Sequence, residues 1–193
     1  LGPRADHLNP PLWEVGHIVW FQERWCLRAR PDGSFAGSLL DGADALYDSS
    51  RVAHDSRWDL PLPSPAEVDD YAGRVAQAVS VRLRDALTDE LAYFAELSLY
   101  HELMHIEAWW MAFQNLGYAP PDQPAVHDAP PAWHDRLEFA ESEVSLGSGQ
   151  EAGFIFDNEK WHHVIRVPAF DIDTRLVSET RFAAARSDEE RRQ

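Results

Sequence analysis

The sequence HELMHIE at residues 101–107 lies in a segment with helical periodicity and sets two imidazoles four residues apart. On a helix, residues at this spacing leave the same face about one turn apart. His101 and His105 can therefore bind one metal ion together, provided that at least a third ligand exists. Taken alone, the pair is equally consistent with ordinary residues on a helix face.

The same string contains the zinc-protease motif H-E-x-x-H, in which Glu102 would act as general base. The extended metzincin pattern needs Gly three residues and His six residues after the second histidine. This chain has Ala108 and Met111 at those positions. A glutamate ligand further downstream stays open, although the segment after Gly117 is rich in proline. The motif therefore fits a protease poorly.

A third candidate ligand lies near the start of the chain. The sequence NPPLWEVGHIVWFQE at residues 9–23 is a second apolar helical stretch and contains His17. We predict a helix from Leu12 to about Leu27 that packs against the helix of residues 101–107. Three neutral imidazoles from two helices would form a facial site with open positions, suited to iron or zinc chemistry on a small molecule.

Two motifs in the same order resemble a known family. The run PPLWEVGH at residues 10–17, with the later His101, His105 and Glu107, resembles the iron-binding DinB-type domain of ergothioneine-synthase-like sulfoxide synthases. The run FIFDNEKWHH at residues 154–163 resembles the opening of the formylglycine-generating-enzyme-like domain that follows it in those proteins. The resemblance covers nearly the whole chain, from Asn9 to about Phe182.

The resemblance implies an α+β protein in three parts. A DinB-like iron-binding helical bundle would occupy residues 1–118 and a proline-rich linker residues 119–137. Residues 138–193 would be the start of a formylglycine-generating-enzyme/C-type-lectin-like domain. We count three long helices in the first part, one fewer than the implied bundle, and expect the first helix to precede Leu1. We also expect the second domain to be truncated.

The resemblance further implies an iron-dependent oxidoreductase. Carried over position by position, its mononuclear non-haem Fe(2+) is held by His17, His101 and His105. The small-molecule partners would be hercynine, O2 and either a selenosugar or a thiol. The catalytic proton donor would lie in the later part of the second domain.

Details favour one branch of the family. Ergothioneine synthases commonly place Gln before the last histidine ligand, where this chain has Met104. Together with ALYDSSRVAHDSRWDL at residues 45–60, this makes the chain more similar to selenoneine synthases, which join selenium from a selenosugar to hercynine. Candidate substrate-binding residues are Arg51, His54, Arg57 and Met104. The alternatives are carbon-sulfur bond formation on hercynine, as in ergothioneine synthesis, and a non-catalytic DinB-like metal-binding or thiol-sensing module.

Composition limits the partners and the compartment. The chain has 193 residues and a formal net charge of −16, which would repel nucleic acid and anionic membranes. Its single cysteine, Cys26, forms no internal disulfide and suits a reducing compartment. With neither a long apolar run nor a basic-then-apolar start, we expect a cytoplasmic protein.

Local signals place the remaining elements. Ser64-Pro65-Ala66-Glu67 is a capping box that opens a helix to about Ala86, and Thr88 or Asp89 caps the next helix, which ends at Gly117. Residues 30–63 are rich in Asp, Ser, Gly and Pro and predict a long irregular loop. From Glu138 onward, alternating stretches such as Val164–Val167 and Phe170–Asp173 predict strands.

Overall fold

The computed structural model describes residues 3–5, 8–119, 136–150 and 153–190. The chain divides into two units, Leu1–Gln123 and Pro124–Gln193. The described part of the first unit is helical, and that of the second contains two small sheets and one helix. The predicted α+β class is therefore confirmed.

The helices of the first unit begin and end close to the predicted positions. In chain order they are α1 (Pro11–Glu23), a π-helical turn (Arg24–Arg28), α2 (Ala43–Tyr47), a 3-10 turn (His54–Asp59), α3 (Pro65–Asp85) and α4 (Asp89–Leu116). α1 starts with proline at its first position, where the missing N–H costs no hydrogen bond. The helical path predicted to about Leu27 continues to Arg28 through the π-helical turn.

The predicted helix caps are present. Ser64 Oγ accepts from the Glu67 backbone N–H, and the Glu67 carboxylate accepts from the Ser64 N–H at 2.8 Å. Thr88 Oγ1 accepts from the Leu91 N–H at 3.1 Å at the start of α4. α4 ends at Gly117, whose φ of 68° is the left-handed conformation that favours glycine. These caps fix where the two long helices begin and where α4 ends.

Two apolar clusters hold α1 in the first unit, and α1 packs against both α3 and α4. One cluster contains Cys26, Tyr71, Val75, Val79 and Leu91. The other contains Trp13, Trp20, Ala43 and Tyr47. Burial of each large side chain stabilises the fold by roughly 1.5–3 kcal/mol.

The expectation of an irregular loop at residues 30–63 is wrong in part, because α2 and the 3-10 turn lie within it. Tertiary contacts stabilise α2. The Asp44 carboxylate accepts from Trp20 Nε1 at 2.7 Å and from both terminal nitrogens of Arg28 at 2.9 and 2.7 Å. Trp13 Nε1 donates to the Leu46 carbonyl at 2.7 Å. These partners are remote in sequence, so local composition did not reveal them.

The second unit contains β1 (Arg136–Phe139), β2 (Ser142–Leu146), β3 (His163–Val167), β4 (Phe170–Asp173) and α5 (Glu179–Glu190). β1 pairs antiparallel with β4, and β2 pairs antiparallel with β3. The strands predicted at Val164–Val167 and Phe170–Asp173 are confirmed as β3 and β4. α5 was not predicted, because its charged sequence carries no clear apolar stripe.

The predicted linker at residues 119–137 falls mainly on residues 120–135, which lie outside the described residues. β1 already begins at Arg136, two residues before the predicted start of the second domain. Among the described helices, none has the length and apolarity needed to cross a membrane.

Candidate metal centre

The three predicted imidazole ligands come together between α1 and α4. One ligand nitrogen from each of His17, His101 and His105 lies within 4.8 Å of the others. The ring centroids are 5.0 Å apart for His17 and His101, 5.2 Å for His17 and His105, and 4.6 Å for His101 and His105. We call these three residues the histidine cluster.

His17 is held by two tryptophans and one backbone carbonyl. Its ring stacks on Trp13, with centroids 4.8 Å apart and an interplanar angle of 8°, and lies 5.8 Å from the Trp20 ring. His17 Nδ1 lies 2.8 Å from the Tyr47 carbonyl oxygen. A carbonyl oxygen only accepts, so Nδ1 carries the proton and donates. The Nε2 lone pair of His17 is then free for the histidine cluster.

His105 is oriented by a buried carboxylate. Its Nδ1 lies 2.6 Å from Glu14 Oε1, and Glu14 is only 5% exposed. The other ring nitrogen of His105, Nε2, is 3.2 Å from His101 Nε2. A histidine whose outer nitrogen contacts a carboxylate is the usual arrangement around protein-bound metals.

His101 is held mainly by stacking. Its ring lies 4.0 Å from that of Phe21, with an interplanar angle of 20°. Its buried Nδ1 has no hydrogen-bond partner among the described residues. The cluster therefore contains one buried ring nitrogen without a hydrogen-bond partner in the described part of the chain, and two further nitrogens, His101 Nε2 and His105 Nε2, that lie 3.2 Å apart. Such buried polar atoms need a partner, and a bound cation would accept their lone pairs.

The electrostatics of the cluster suit a cation. Burial lowers the pKa of His17 to about 4, although its hydrogen bond to Tyr47 opposes the shift. Burial, reinforced by His17 and His105, lowers the pKa of His101 to about 3. Both imidazoles are thus neutral at pH 7 and present lone pairs, which metal binding requires. A set of three imidazole nitrogens fits iron or zinc.

The two candidate substrate residues Arg51 and His54 lie on the surface. The Arg51 side chain is 73% exposed and forms an ion pair with Asp48 at 3.5 Å. His54 begins the 3-10 turn and is also exposed.

Arg57 lies closer to the histidine cluster. Its guanidinium carbon is 4.0 Å from the Trp13 ring centroid, on the tryptophan that stacks on His17. It also donates to Asn9 Oδ1 at 2.8 Å. Burial lowers the Arg57 pKa from its usual value. Met104 is 50% exposed on α4, one residue before His105.

Sequence reasoning missed the residues that orient the ligands, chiefly Glu14, Phe21 and the carbonyl of Tyr47. Glu14 lies three residues before His17, and Phe21 four residues after it, so both lie near the same helical face. A glutamate inside an apolar helical stretch needs a partner, and this signal could have identified it. The Tyr47 carbonyl belongs to a remote segment and left no signal.

Comparison with known proteins shows which family the chain belongs to. The DinB superfamily matches residues 2–115, the part of the chain that contains the histidine cluster. The chain is also similar to proteins named hercynine oxygenase. Identity is 32% over 170 residues for that of Mycobacterium tuberculosis and 28% over 174 residues for that of Mycolicibacterium smegmatis.

A third such relative, from Mycolicibacterium thermoresistibile, is 30% identical over 187 residues. The matches cover 86%, 86% and 92% of this chain but 40%, 39% and 40% of the three relatives. The chain thus spans about two fifths of their length. Its match over more than half of the sequence shows that the chain belongs to the DinB superfamily.

Proposed function

We propose that this chain is the iron-binding part of an O2-dependent oxidoreductase that modifies hercynine. The observation that carries the proposal is the histidine cluster, in which two helices bring three imidazole nitrogens within 4.8 Å of one another. The similarity to three proteins named hercynine oxygenase supplies the substrate class. His17, His101 and His105 would hold Fe(2+).

Bound ferrous iron with open positions would supply a place where O2, the chalcogen donor and the hercynine imidazole react together. The residues of this chain prepare that place. Glu14 and the Tyr47 carbonyl orient His105 and His17 through their outer nitrogens. Trp13, Trp20 and Phe21 cover the imidazoles and limit access of water to them. Such support holds the ligands in one geometry before substrate binds.

The finer proposal is that the reaction forms a carbon-selenium bond between a selenosugar and hercynine. It is supported by Met104, a soft and polarizable side chain beside His105 in the sequence, where the sulfur-type enzymes commonly have glutamine. Arg51, His54 and Arg57 remain the proposed substrate contacts. The guanidinium groups of Arg51 and Arg57 would suit a carboxylate or a sugar phosphate, which an arginine can bind through two hydrogen bonds. The formylglycine-generating-enzyme-like identity of residues 138–193 is part of the same proposal, as is a cytoplasmic location.

The alternative is transfer of sulfur from a thiol to hercynine. The deciding assay loads the protein with iron without air and then adds hercynine and air with either a selenosugar or a thiol. Mass spectrometry identifies the product. A strict preference for the thiol would assign the protein to the sulfur branch.

Metal binding is tested separately from turnover. We expect that His17→Ala, His101→Ala and His105→Ala each lower the iron content, measured by elemental analysis after anaerobic loading. The matched control is His163→Ala, a histidine exposed on β3, which should bind iron as the parent does. If His17→Ala retains the iron content of the parent, the three-histidine site is wrong. If the whole protein of which this chain is proposed to be a part binds iron but consumes no O2 with hercynine, it would be a binding module.

A further inference from the structure

The Glu14 carboxylate contacts two donors on α4, one at each oxygen. Oε1 lies 2.6 Å from His105 Nδ1, and Oε2 accepts from Trp109 Nε1 at 2.5 Å. The two α4 residues are four positions apart, so they lie on one face of the helix. Glu14 itself is on α1 and 5% exposed.

We propose that the buried Glu14 carboxylate fixes the tautomer of His105, so that the Nε2 lone pair faces the histidine cluster. Glu14 is then a positioning residue for His105, and Trp109 donates to the second Glu14 oxygen, where it would orient an amide placed at position 14. The value of this tautomer for metal binding rests on the proposed function, but the choice of tautomer does not.

The tautomer of His105 follows from which neighbouring groups can only donate or only accept. The indole N–H of Trp109 has no acceptor capacity, so the Glu14 atom beside it must accept. A carboxylate accepts at both oxygens, which leaves Oε1 able to accept from a proton on His105 Nδ1. With a single proton on the ring, placed on Nδ1, Nε2 bears the lone pair. That atom is the one 3.2 Å from His101 Nε2.

Replacement of Glu14 by glutamine should reverse this tautomer. An amide has one accepting oxygen and one donating NH2 group. Because Trp109 only donates, the amide oxygen turns to Trp109 and the NH2 group turns to His105. His105 must then accept at Nδ1, and its proton moves to Nε2. The lone pair that faced the cluster is lost, although the side chain has nearly the same shape.

Replacement of Trp109 by phenylalanine in addition should undo the reversal. Without the indole donor, the amide oxygen of Glu14→Gln is free to face His105 and accept from Nδ1–H. The amide NH2 group then points toward the residue at position 109. Glu14 and Trp109 both line a cavity of about 370 Å³, from which water can reach that group. The second substitution therefore rescues the first, which a packing role alone would not produce.

The experiment compares the parent, Glu14→Gln, Trp109→Phe and the double variant in two readouts. The first is the His105 tautomer in the metal-free protein at pH 7.5, read from two-bond nitrogen-proton correlations in ¹⁵N-labelled samples. We expect the proton on Nδ1 in the parent, Trp109→Phe and the double variant, and on Nε2 in Glu14→Gln. Thermal melts check that the variants remain folded.

The second readout is Co2+ affinity, followed by the visible absorption of the bound ion. Glu14→Gln should bind Co2+ about 10–100-fold more weakly than the parent, the range seen for loss of such supporting groups. The double variant should bind more tightly than Glu14→Gln. A double variant as weak as Glu14→Gln, or a His105 tautomer that is the same in the parent and Glu14→Gln, would overturn the inference.

The two readouts separate this inference from the proposed function. If the tautomers change as expected but the parent binds neither Co2+ nor iron, the metal centre is wrong and the tautomer assignment stands. If the parent binds Co2+ but Glu14→Gln binds it equally well, the metal centre stands and the role of Glu14 is wrong.

Discussion

The two helices that supply the histidine cluster differ sharply in burial. In α1, six of 13 residues are buried: Trp13, Glu14, Gly16, His17, Trp20 and Glu23. In α4, all of whose 28 residues are described, only Leu91 and Ser98 are buried. α1 packs against α2, α3 and α4, whereas α4 exposes Leu99, Leu103, Met104, Ile106 and Met111.

This difference indicates that residues of the buried helix α1 hold the side chains of the histidine cluster in place. The candidate ligand His105 on α4 is oriented by Glu14 of α1, and the candidate ligand His101 on α4 stacks on Phe21 of α1. The α1 ligand His17 is oriented by Tyr47, which is completely buried. A perturbation of α1 should therefore damage both fold and site, whereas a perturbation of the exposed face of α4 should damage neither.

The largest effect is expected for Gly16→Ala in α1. A Cβ at this position would overlap Cε1 and Cζ of the Tyr47 ring. The ring is fully buried, so any displacement would disturb the side chains packed around it. We expect the free energy of unfolding to fall by at least about 3 kcal/mol, the upper range for overpacking. Urea denaturation measures it, and metal content should fall as well, because the Tyr47 carbonyl orients His17.

Gly73→Ala is the matched control for this prediction. Gly73 is an exposed glycine inside α3, and an added Cβ would meet nothing within 4 Å. Alanine costs less backbone entropy in a helix, so stability should rise by about 0.5–1 kcal/mol. Equal stability of the two alanine variants would show that the Tyr47 ring yields easily and that α1 is less constrained than its burial indicates.

A second comparison tests a buried and an exposed position of α4. Leu91 is 5% exposed and belongs to the cluster with Tyr71 and Val75, whereas Leu103 is 49% exposed. Leu91→Ala should cost about 2–3 kcal/mol by leaving a cavity, and Leu103→Ala less than about 0.5 kcal/mol. Urea denaturation of both variants gives the comparison. A loss at Leu103 as large as that at Leu91 would show that another surface covers this face of α4.

Acid should weaken the contact between α2 and the π-helical turn, where Arg28 lies. The hydrogen bonds from Arg28 lower the pKa of Asp44 to about 2, so the unfolded chain takes up this proton first as pH falls. The stabilisation is complete above about pH 4 and is lost as pH falls through about 2. Because the Asp44 side chain is 41% exposed, we expect only about 1 kcal/mol from it.

The measurement is the difference in unfolding free energy between the parent and Asp44→Asn at pH 5 and at pH 2. The asparagine keeps an acceptor for Trp20 but has no charge to lose. The difference should shrink by about 1 kcal/mol at the lower pH. An unchanged difference would mean that Arg28 does not act on Asp44 in solution.

The fold and the site could be predicted from the sequence only in part. The caps at Ser64 and Thr88 and the stop at Gly117 follow from local chemistry, and all three are present. α2 was missed because it depends on the remote partners Trp20 and Arg28. Local signals report hydrogen bonds within one turn of chain and carry no information about such long-range partners.

In the site, too, the local features could be predicted from the sequence and the long-range contacts could not. The spacing of His101 and His105 predicts a shared helix face, and the structure brings both to His17. The groups that orient the imidazoles lie at longer range, since Glu14 meets His105 across 91 positions of sequence. A motif thus identified candidate ligands, whereas their tautomers and orientation could be derived only from the packed structure.

The smallest effect is expected for Glu102→Gln, on the exposed face of the helix that carries the cluster. Glu102 follows His101 directly, so it lies about 100° around α4 from that ligand, and it is exposed. As a neighbour of the site it supports neither fold nor metal. We expect unchanged iron content and a stability change within about 0.5 kcal/mol, whereas His101→Ala at the adjacent position should lose iron.

The protease interpretation of the HELMH sequence makes the opposite prediction for Glu102→Gln, which should then abolish catalysis, because Glu102 would be the general base. A peptide-hydrolysis activity in the iron- or zinc-loaded parent that Glu102→Gln abolishes would therefore replace the oxidoreductase proposal, and would show that the exposed side of α4 carries the chemistry.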